Sequence, residues 1–159
     1  MNIYFIRHGD AERPSSSTND FDRKLTKEGK NSLKIAAVKW KDIIHSFDYI
    51  VTSPLVRAVQ TAKIIAEVFD YEDEIIKDDK LAGGGKTEDI IEIANALDGE
   101  NIAFIGHQPD FSHYVSDLIS INGAHIEFKK AAIAKIYFHN RMELTKGMLE
   151  LLIPPAILR

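Results

Sequence analysis

The feature that most constrains this chain is a rhythm. Short apolar runs are each stopped by a polar cluster and followed by a stretch of helical spacing. Ile3-Tyr4-Phe5-Ile6 stops at Arg7-His8-Gly9-Asp10, Tyr49-Ile50-Val51 runs into Ser53-Pro54, and Ile102-Ala103-Phe104-Ile105 stops at Gly106-His107. From Thr26 to His45 the positions Leu33, Ala36, Ala37, Trp40, Ile43 and Ile44 mark one helical face, with Thr26 as N-cap. Ser53 and Pro54 read as the N-cap and first residue of a second helix, whose buried stripe is Leu55, Ala58, Val59, Ala62, Ile65, Ala66 and Phe69. Glu74-Ile75-Ile76 is a brief strand, and a third helix runs from Thr87 to Leu97 before Asp98-Gly99. A fourth helix is predicted from Pro109 to Ile121. Ala132 to Phe138 and Met148 to Ile153 alternate like strands about a turn near Lys146-Gly147.

Strands alternating with helices predict a three-layer α/β/α sandwich on a mostly parallel sheet, made mixed if the last two strands form a hairpin. A chain of 159 residues with 45% apolar content suits one domain over residues 1–159, and no Pro/Gly/Ser-rich linker divides it. Ser15 to Asn19, after Pro14, is the one low-complexity stretch and reads as a surface loop. A net charge of -4 argues against nucleic acid as a partner. The lack of cysteine excludes disulfides, thiolate metal sites and cysteine nucleophiles. No secretory signal or membrane-length apolar stretch is present, so the expected setting is cytoplasmic, with no membrane partner and a monomeric state.

The polar clusters carry the chemistry. In an open α/β sheet, ligands sit beyond the carboxyl ends of the strands. If the three strands are parallel neighbours, Arg7 and His8, Ser53 and Arg57, and Gly106 and His107 share one edge. Two arginines and two histidines suit an anion with several oxygens, and the arginine fork matches phosphate. A neutral histidine there can attack phosphorus, giving a phosphohistidine intermediate while the cations stabilise the equatorial oxygens. Each residue also has a plainer reading: a capped strand-end histidine, a turn residue, a helix-surface charge. Arg57 favours the ligand role, because a first-turn arginine opposes the helix dipole.

"RHGDAE", "RKLTKEG", "SPLVRAVQTA", "LAGGGKTEDI", "GHQPD" and "AAIAKI" occur in the order used by the small SixA-type phosphohistidine phosphatases. The chain therefore resembles the histidine phosphatase superfamily over nearly its whole length. The resemblance implies the phosphoglycerate mutase-like fold. It makes His8 the phosphorylated nucleophile, with Arg7, Arg57 and His107 completing the phosphate pocket. His107 would hold the transferring oxygens, and Arg23 is an accessory contact. Lys24 stands where this branch often has proline, a change that bears on the loop rather than the chemistry. Superfamily members with a long insertion cover the site, but Arg57 and His107 are only 50 positions apart. An uncovered pocket could admit a phosphorylated side chain on a protein surface.

The implied substrate is phosphohistidine on a protein, such as a histidine phosphotransfer domain; a small phosphoester is the alternative. A non-catalytic phosphate-binding module on the same fold is the rival of another class. The presence of all four site residues argues for the enzyme, and a mutase is a minor third option. No cofactor or metal is implied. Ester hydrolysis usually needs an acid for the leaving oxygen. Asp10, Glu12, Asp22 and Glu88 are candidates, with Asp10 nearest the nucleophile in sequence. A phosphohistidine substrate relaxes that requirement.

Two features are decoys. "GGGKT" lacks the first P-loop glycine, since residue 80 is Lys80, and reads as a loop with Thr87 as N-cap. His45, His113, His125 and His139 form no metal-ligand spacing and read as surface or element-end residues. The apolar stretch Leu151 to Leu158 is expected to close the core.

Overall fold

The computed structural model describes residues 1–155. Six strands form one sheet: β1 (Asn2–Arg7), β2 (Tyr49–Thr52), β3 (Ile76–Lys77), β4 (Asn101–Gly106), β5 (Ile133–Tyr137) and β6 (Met148–Ile153). Their order is β3-β2-β4-β1-β5-β6. The pairs β1/β4, β4/β2 and β2/β3 are parallel, whereas β5 runs antiparallel to both β1 and β6. The sheet is therefore mixed, with the final hairpin supplying the antiparallel edge.

Among the described residues four α-helices cover it: α1 (Lys27–Trp40), α2 (Val56–Val68), α3 (Thr87–Ala96) and α4 (Asp110–Ile119). The period of two along β1 decides the layers. Tyr4 and Ile6 face α1 and α2, joining Leu33, Trp40, Ala62 and Ile65. Ile3 and Phe5 face the other way, against Ile90 of α3 and Phe111, Tyr114 and Leu118 of α4. Each large apolar side chain buried in these layers contributes roughly 1.5–3 kcal/mol. No helix among the described residues is long and apolar enough to cross a membrane.

Several element ends differ from expectation for local reasons. The Thr26 side chain accepts the Gly29 N–H as expected, but α1 stops at Trp40 rather than continuing to His45. Tight bonds from the Lys41 and Ile43 N–H groups to Val38 and Trp40 end it, leaving Ile43 half exposed and Ile44 buried. Lys86, not Thr87, is the N-cap of α3, and the Asp89 carboxylate accepts the Lys86 N–H at 3.2 Å. Thr87 instead donates its hydroxyl to Asp117 at 2.5 Å. β3 is only two residues and starts at Ile76, so Glu74 and Ile75 stay outside the pairing.

Leu151 and Ile153 of β6 pack on the α1/α2 side, and Leu149 and Leu152 on the opposite side. The expected core role thus holds for this part of the apolar C-terminal stretch. Ala156, Ile157 and Leu158 lie outside the described residues.

Candidate active site

Strand register brings the polar clusters to one edge. Arg7 pairs with Gly106 and Thr52 with Ile105, so His8, Ser53 and His107 are each the first residue beyond a neighbouring parallel strand. The His8 backbone is held on both sides: its N–H donates to Gly106 and its carbonyl accepts from Ala131, each at 3.1 Å. Ala131 is buried with φ of 55°, a left-handed conformation costing on the order of 1 kcal/mol for a residue with a Cβ. That strain sits directly behind His8.

Two glycines permit the loops to close. A Cβ on Gly29 would collide with the Asp10 carbonyl, so glycine allows the start of α1 to rest against the His8-Gly9-Asp10 turn. A Cβ on Gly106 would come within 2.8 Å of the Phe111 ring, which packs beneath the turn that carries His107.

His8 Nδ1 lies 2.7 Å from the Gly9 carbonyl. A carbonyl can only accept, so Nδ1 carries the proton and Nε2 keeps its lone pair. The His107 ring centre lies 5.1 Å from that of His8, and its Nε2 is 2.7 Å from the Ser53 hydroxyl. Its Nδ1 is buried with no partner among the described residues. Arg7 reaches the Phe128 carbonyl through one Nη at 2.7 Å, while its Nε is unpartnered among the described residues. Arg57, only 7% exposed, donates to the Asp20 carbonyl at 2.7 Å and to the Asp20 carboxylate at 3.1 Å.

Both imidazoles are kept neutral. Burial pushes His8 from 6.5 down to about 4 against the Gly9 bond that favours its proton, and Arg57, Arg7 and Lys130 add repulsion. Burial also takes His107 to about 3, helped by His8, Arg57 and Arg7 and opposed by Asp20. Burial lowers Arg7 from its usual value as well. In the unfolded chain the histidines would protonate near 6.5, so unfolding takes up protons between about pH 6.5 and 4. Stability therefore falls as pH drops through that window. The loss on going from pH 7 to 5 is about 2 kcal/mol for each histidine acting alone. Thermal melts without phosphate at the two pH values should show it, and His8→Asn should remove part of the difference. Equal melting temperatures for wild type at pH 7 and 5 would refute it.

The predicted accessory residues divide. Arg23 does not add a free fork to the pocket. Its Nε donates to the Glu12 carbonyl at 2.7 Å and an Nη to the Asp20 carboxylate at 2.6 Å, so it reaches Arg57 through Asp20. Asp10 is poorly suited to the proton-donor role expected of it. Lys130 holds its carboxylate at 2.5 Å and keeps it below the usual carboxylate range, so it has no proton to give near neutral pH. Lys24 donates its N–H to the Glu12 carboxylate at 3.3 Å, a bond that proline could not make.

The sequence reading misassigned Ser53 and passed over Gln60 and Thr61 in "SPLVRAVQTA". Ser53 is not the helix cap, because α2 begins at Val56 after an N-cap at Leu55. Its Oγ instead accepts the Leu55 N–H at 3.3 Å and holds His107. Thr61 accepts the Gly9 N–H at 3.2 Å and donates to the Arg57 carbonyl at 2.8 Å, and Gln60 accepts the Leu25 N–H at 2.7 Å. Gln60 and Thr61 follow Arg57 by three and four positions, a helical spacing that was available as a signal. The glycine loop is tied down too, Gly84 donating to buried Asp110 at 2.8 Å. It borders a cavity of about 760 Å³ that reaches Gln108, beside His107, and includes Glu88. His45, His113, His125 and His139 are all exposed. No cluster of three or more His, Asp or Glu suited to a metal occurs among the described residues.

Residues 3–112, which include His8, Arg57 and His107, match the sequence profile of the histidine phosphatase superfamily, branch 1. The chain belongs to that superfamily. A Picosynechococcus protein without an assigned function is 31% identical over 91% of this chain and 93% of its own. A phosphohistidine phosphatase SixA homolog from Haemophilus influenzae is 28% identical over the same shares. The fold is similar to that of the protein histidine phosphatase SixA complexed with tungstate, with TM-score 0.89, 22% identity and full coverage of both chains. It is also similar to the alpha-ribazole phosphatase of Shigella flexneri, with TM-score 0.75, 17% identity and coverage of 98% and 97%. Histidine phosphatase membership supports phosphatase chemistry for this chain, and the fold is the phosphoglycerate mutase-like one.

Proposed function

We propose that this histidine phosphatase removes phosphate from phosphohistidine on a protein, such as a histidine phosphotransfer domain, through phosphorylated His8. The observation that carries the reading is the bond from His8 Nδ1 to the Gly9 carbonyl, which leaves a neutral Nε2 for attack. Nε2 forms the bond to phosphorus as the P–N bond of the substrate breaks, and the departing imidazole keeps the electron pair and takes a proton. Arg7 and Arg57 offset charge on the phosphoryl oxygens, and His107, oriented by Ser53, contacts them. Water then attacks phosphorus and loses a proton, Nε2 regains its lone pair, and inorganic phosphate leaves.

The substrate class is supported by the state of the nearby carboxylates. Asp10 is paired with Lys130, and Asp20 bridges Arg23 and Arg57; both are held below the usual carboxylate range. Neither is poised to protonate an ester oxygen, whereas an imidazole leaving group needs no strong acid. Between α2 and His107 the chain builds only the two-residue β3, a short turn, α3 and β4, in keeping with a site that lacks a large covering insertion. The fold shared with an alpha-ribazole phosphatase keeps a small phosphomonoester as the second reading.

Phosphate release without added metal from a phosphohistidine-bearing domain and from an aryl phosphate separates the two. The expected result is a kcat/KM for the phosphodomain at least about 100-fold above that for the ester, lost in His8→Ala. Preferred ester hydrolysis would establish the second reading. Tight phosphate binding with no turnover of either substrate would establish a binding module.

A further inference from the structure

Asp20 occupies a position that the proposed phosphoryl transfer does not use. It opens a single turn, Asp20–Asp22, lying over the start of α2. All three of its acceptor oxygens face guanidinium groups. The backbone carbonyl and one carboxylate oxygen take two N–H groups of Arg57, and the other carboxylate oxygen takes an N–H of Arg23. Arg23 is itself anchored on the Glu12 carbonyl, so the carboxylate is fixed from two sides.

Burial gives this arrangement a direction. The Arg57 side chain is 9% exposed and that of Asp20 is 59% exposed. The carboxylate therefore stands between a buried cation and solvent. A guanidinium has five N–H donors, and Asp20 uses two of those on Arg57. A phosphoryl group reaching the remaining donors must leave the rest of its molecule on the solvent side, beside Asp20. The same carboxylate is close enough to His107 to favour its protonated form, so its field extends across the pocket.

We propose that Asp20 is a specificity-determining residue: a fixed negative charge at the mouth that admits phosphoryl donors with a neutral or cationic leaving group and rejects those bearing a second anion. Resting on the phosphatase reading above, it deepens that reading by giving the charge of the leaving group. The imidazole of phosphohistidine is neutral or cationic as it departs, whereas phosphorylated hydroxy acids and phosphoamino acids carry a carboxylate close to phosphorus. That carboxylate would face the Asp20 carboxylate, which is 59% exposed, so the like-charge repulsion is modest and is greatest at low ionic strength. Phe21, next in the chain and 45% exposed, offers an aromatic face on the same turn that suits a flat or cationic group.

The test uses two matched pairs of probes: 4-carboxybenzyl and 4-carbamoylbenzyl phosphonate for binding, and the corresponding phenyl phosphates for turnover. They are compared at low ionic strength on wild type, Asp20→Asn and Asp20→Glu. Asparagine keeps an oxygen for one of the two guanidinium groups, and glutamate keeps the charge. The expected result is that wild type disfavours the carboxylated phosphonate, and that Asp20→Asn raises the carboxy-to-carbamoyl affinity ratio about 5- to 10-fold. Asp20→Glu should stay near wild type, and about 0.5 M salt should shrink the difference. Comparing ratios removes any general loss of phosphate affinity, which a purely structural role would produce equally for both probes. An unchanged ratio in Asp20→Asn overturns the proposal. If both phosphonates bind but neither phosphate is turned over, the preference for a P–N bond stands and the affinity ratio alone decides the role of Asp20. Failure of wild type to bind either phosphonate overturns the proposal for Asp20, whereas turnover of the phosphodomain decides the phosphatase reading by itself.

Discussion

Replacing His8 with asparagine is expected to lower phosphate release by at least about 10³-fold, whatever the substrate. The asparagine amide can still donate to the Gly9 carbonyl, so the turn beyond β1 should keep its shape. What disappears is the lone pair on Nε2, for which asparagine has no equivalent. Wild type quenched in denaturant during turnover should carry an acid-labile, base-stable phosphoryl group that His8→Asn lacks. Retention of that label in the variant would move the nucleophile elsewhere, and His107, with its ring centre 5.1 Å away, would be the first residue to examine. Matching far-UV spectra for the two proteins would show that chemistry rather than folding was lost.

Arg57→Ala carries the second large effect. The side chain is buried at the start of α2, and the remaining donors of its fork are the means by which it can hold phosphoryl oxygens. Its removal should lower kcat/KM by about 10³-fold and weaken competition by inorganic phosphate. It also leaves Asp20 paired with Arg23 alone, so a carboxylate with one cation fewer would stand at the mouth. Arg57→Lys should recover little, because an ammonium cannot address the Asp20 carbonyl, its carboxylate and a phosphoryl oxygen in one plane. A loss below about 10-fold in Arg57→Ala would show that Arg7 and the histidines suffice for charge stabilisation.

The two effects differ in kind. The His8→Asn variant would keep the anion site intact, so inorganic phosphate should still inhibit its residual activity or bind it directly. The Arg57→Ala variant would lose binding and turnover together. Measuring phosphate affinity beside turnover therefore separates nucleophile from clamp.

Much of this site was legible in the sequence because it lies at strand ends. The apolar run before Arg7, the run before Ser53 and the run before His107 each mark where a strand stops. Parallel pairing then carries all three stops to one edge. Arg57 was legible as a cation placed against a helix dipole, and the motif order pointed to the histidine phosphatase superfamily, whose profile the chain matches. The roles of Ser53, Gln60 and Thr61 were not. As residue types they fit a cap and a polar helix face equally well, and only the packing of α2 against the His8 and Leu25 segments gives their side chains partners.

Asp10 and Asp20 show the limit most clearly. Asp10 is two residues from His8, yet its carboxylate meets Lys130 from the far end of the chain. Asp20 lies in a polar loop with no periodic pattern, yet it meets Arg57 across 37 positions. Local sequence determined the strands, the helices and the residues proposed to hold phosphate, because hydrophobic period and strand-end chemistry act over a few neighbouring positions. Tertiary structure alone decided which carboxylate faces which cation and which nitrogen of His8 is free. Those depend on distances between segments that the chain brings together only on folding.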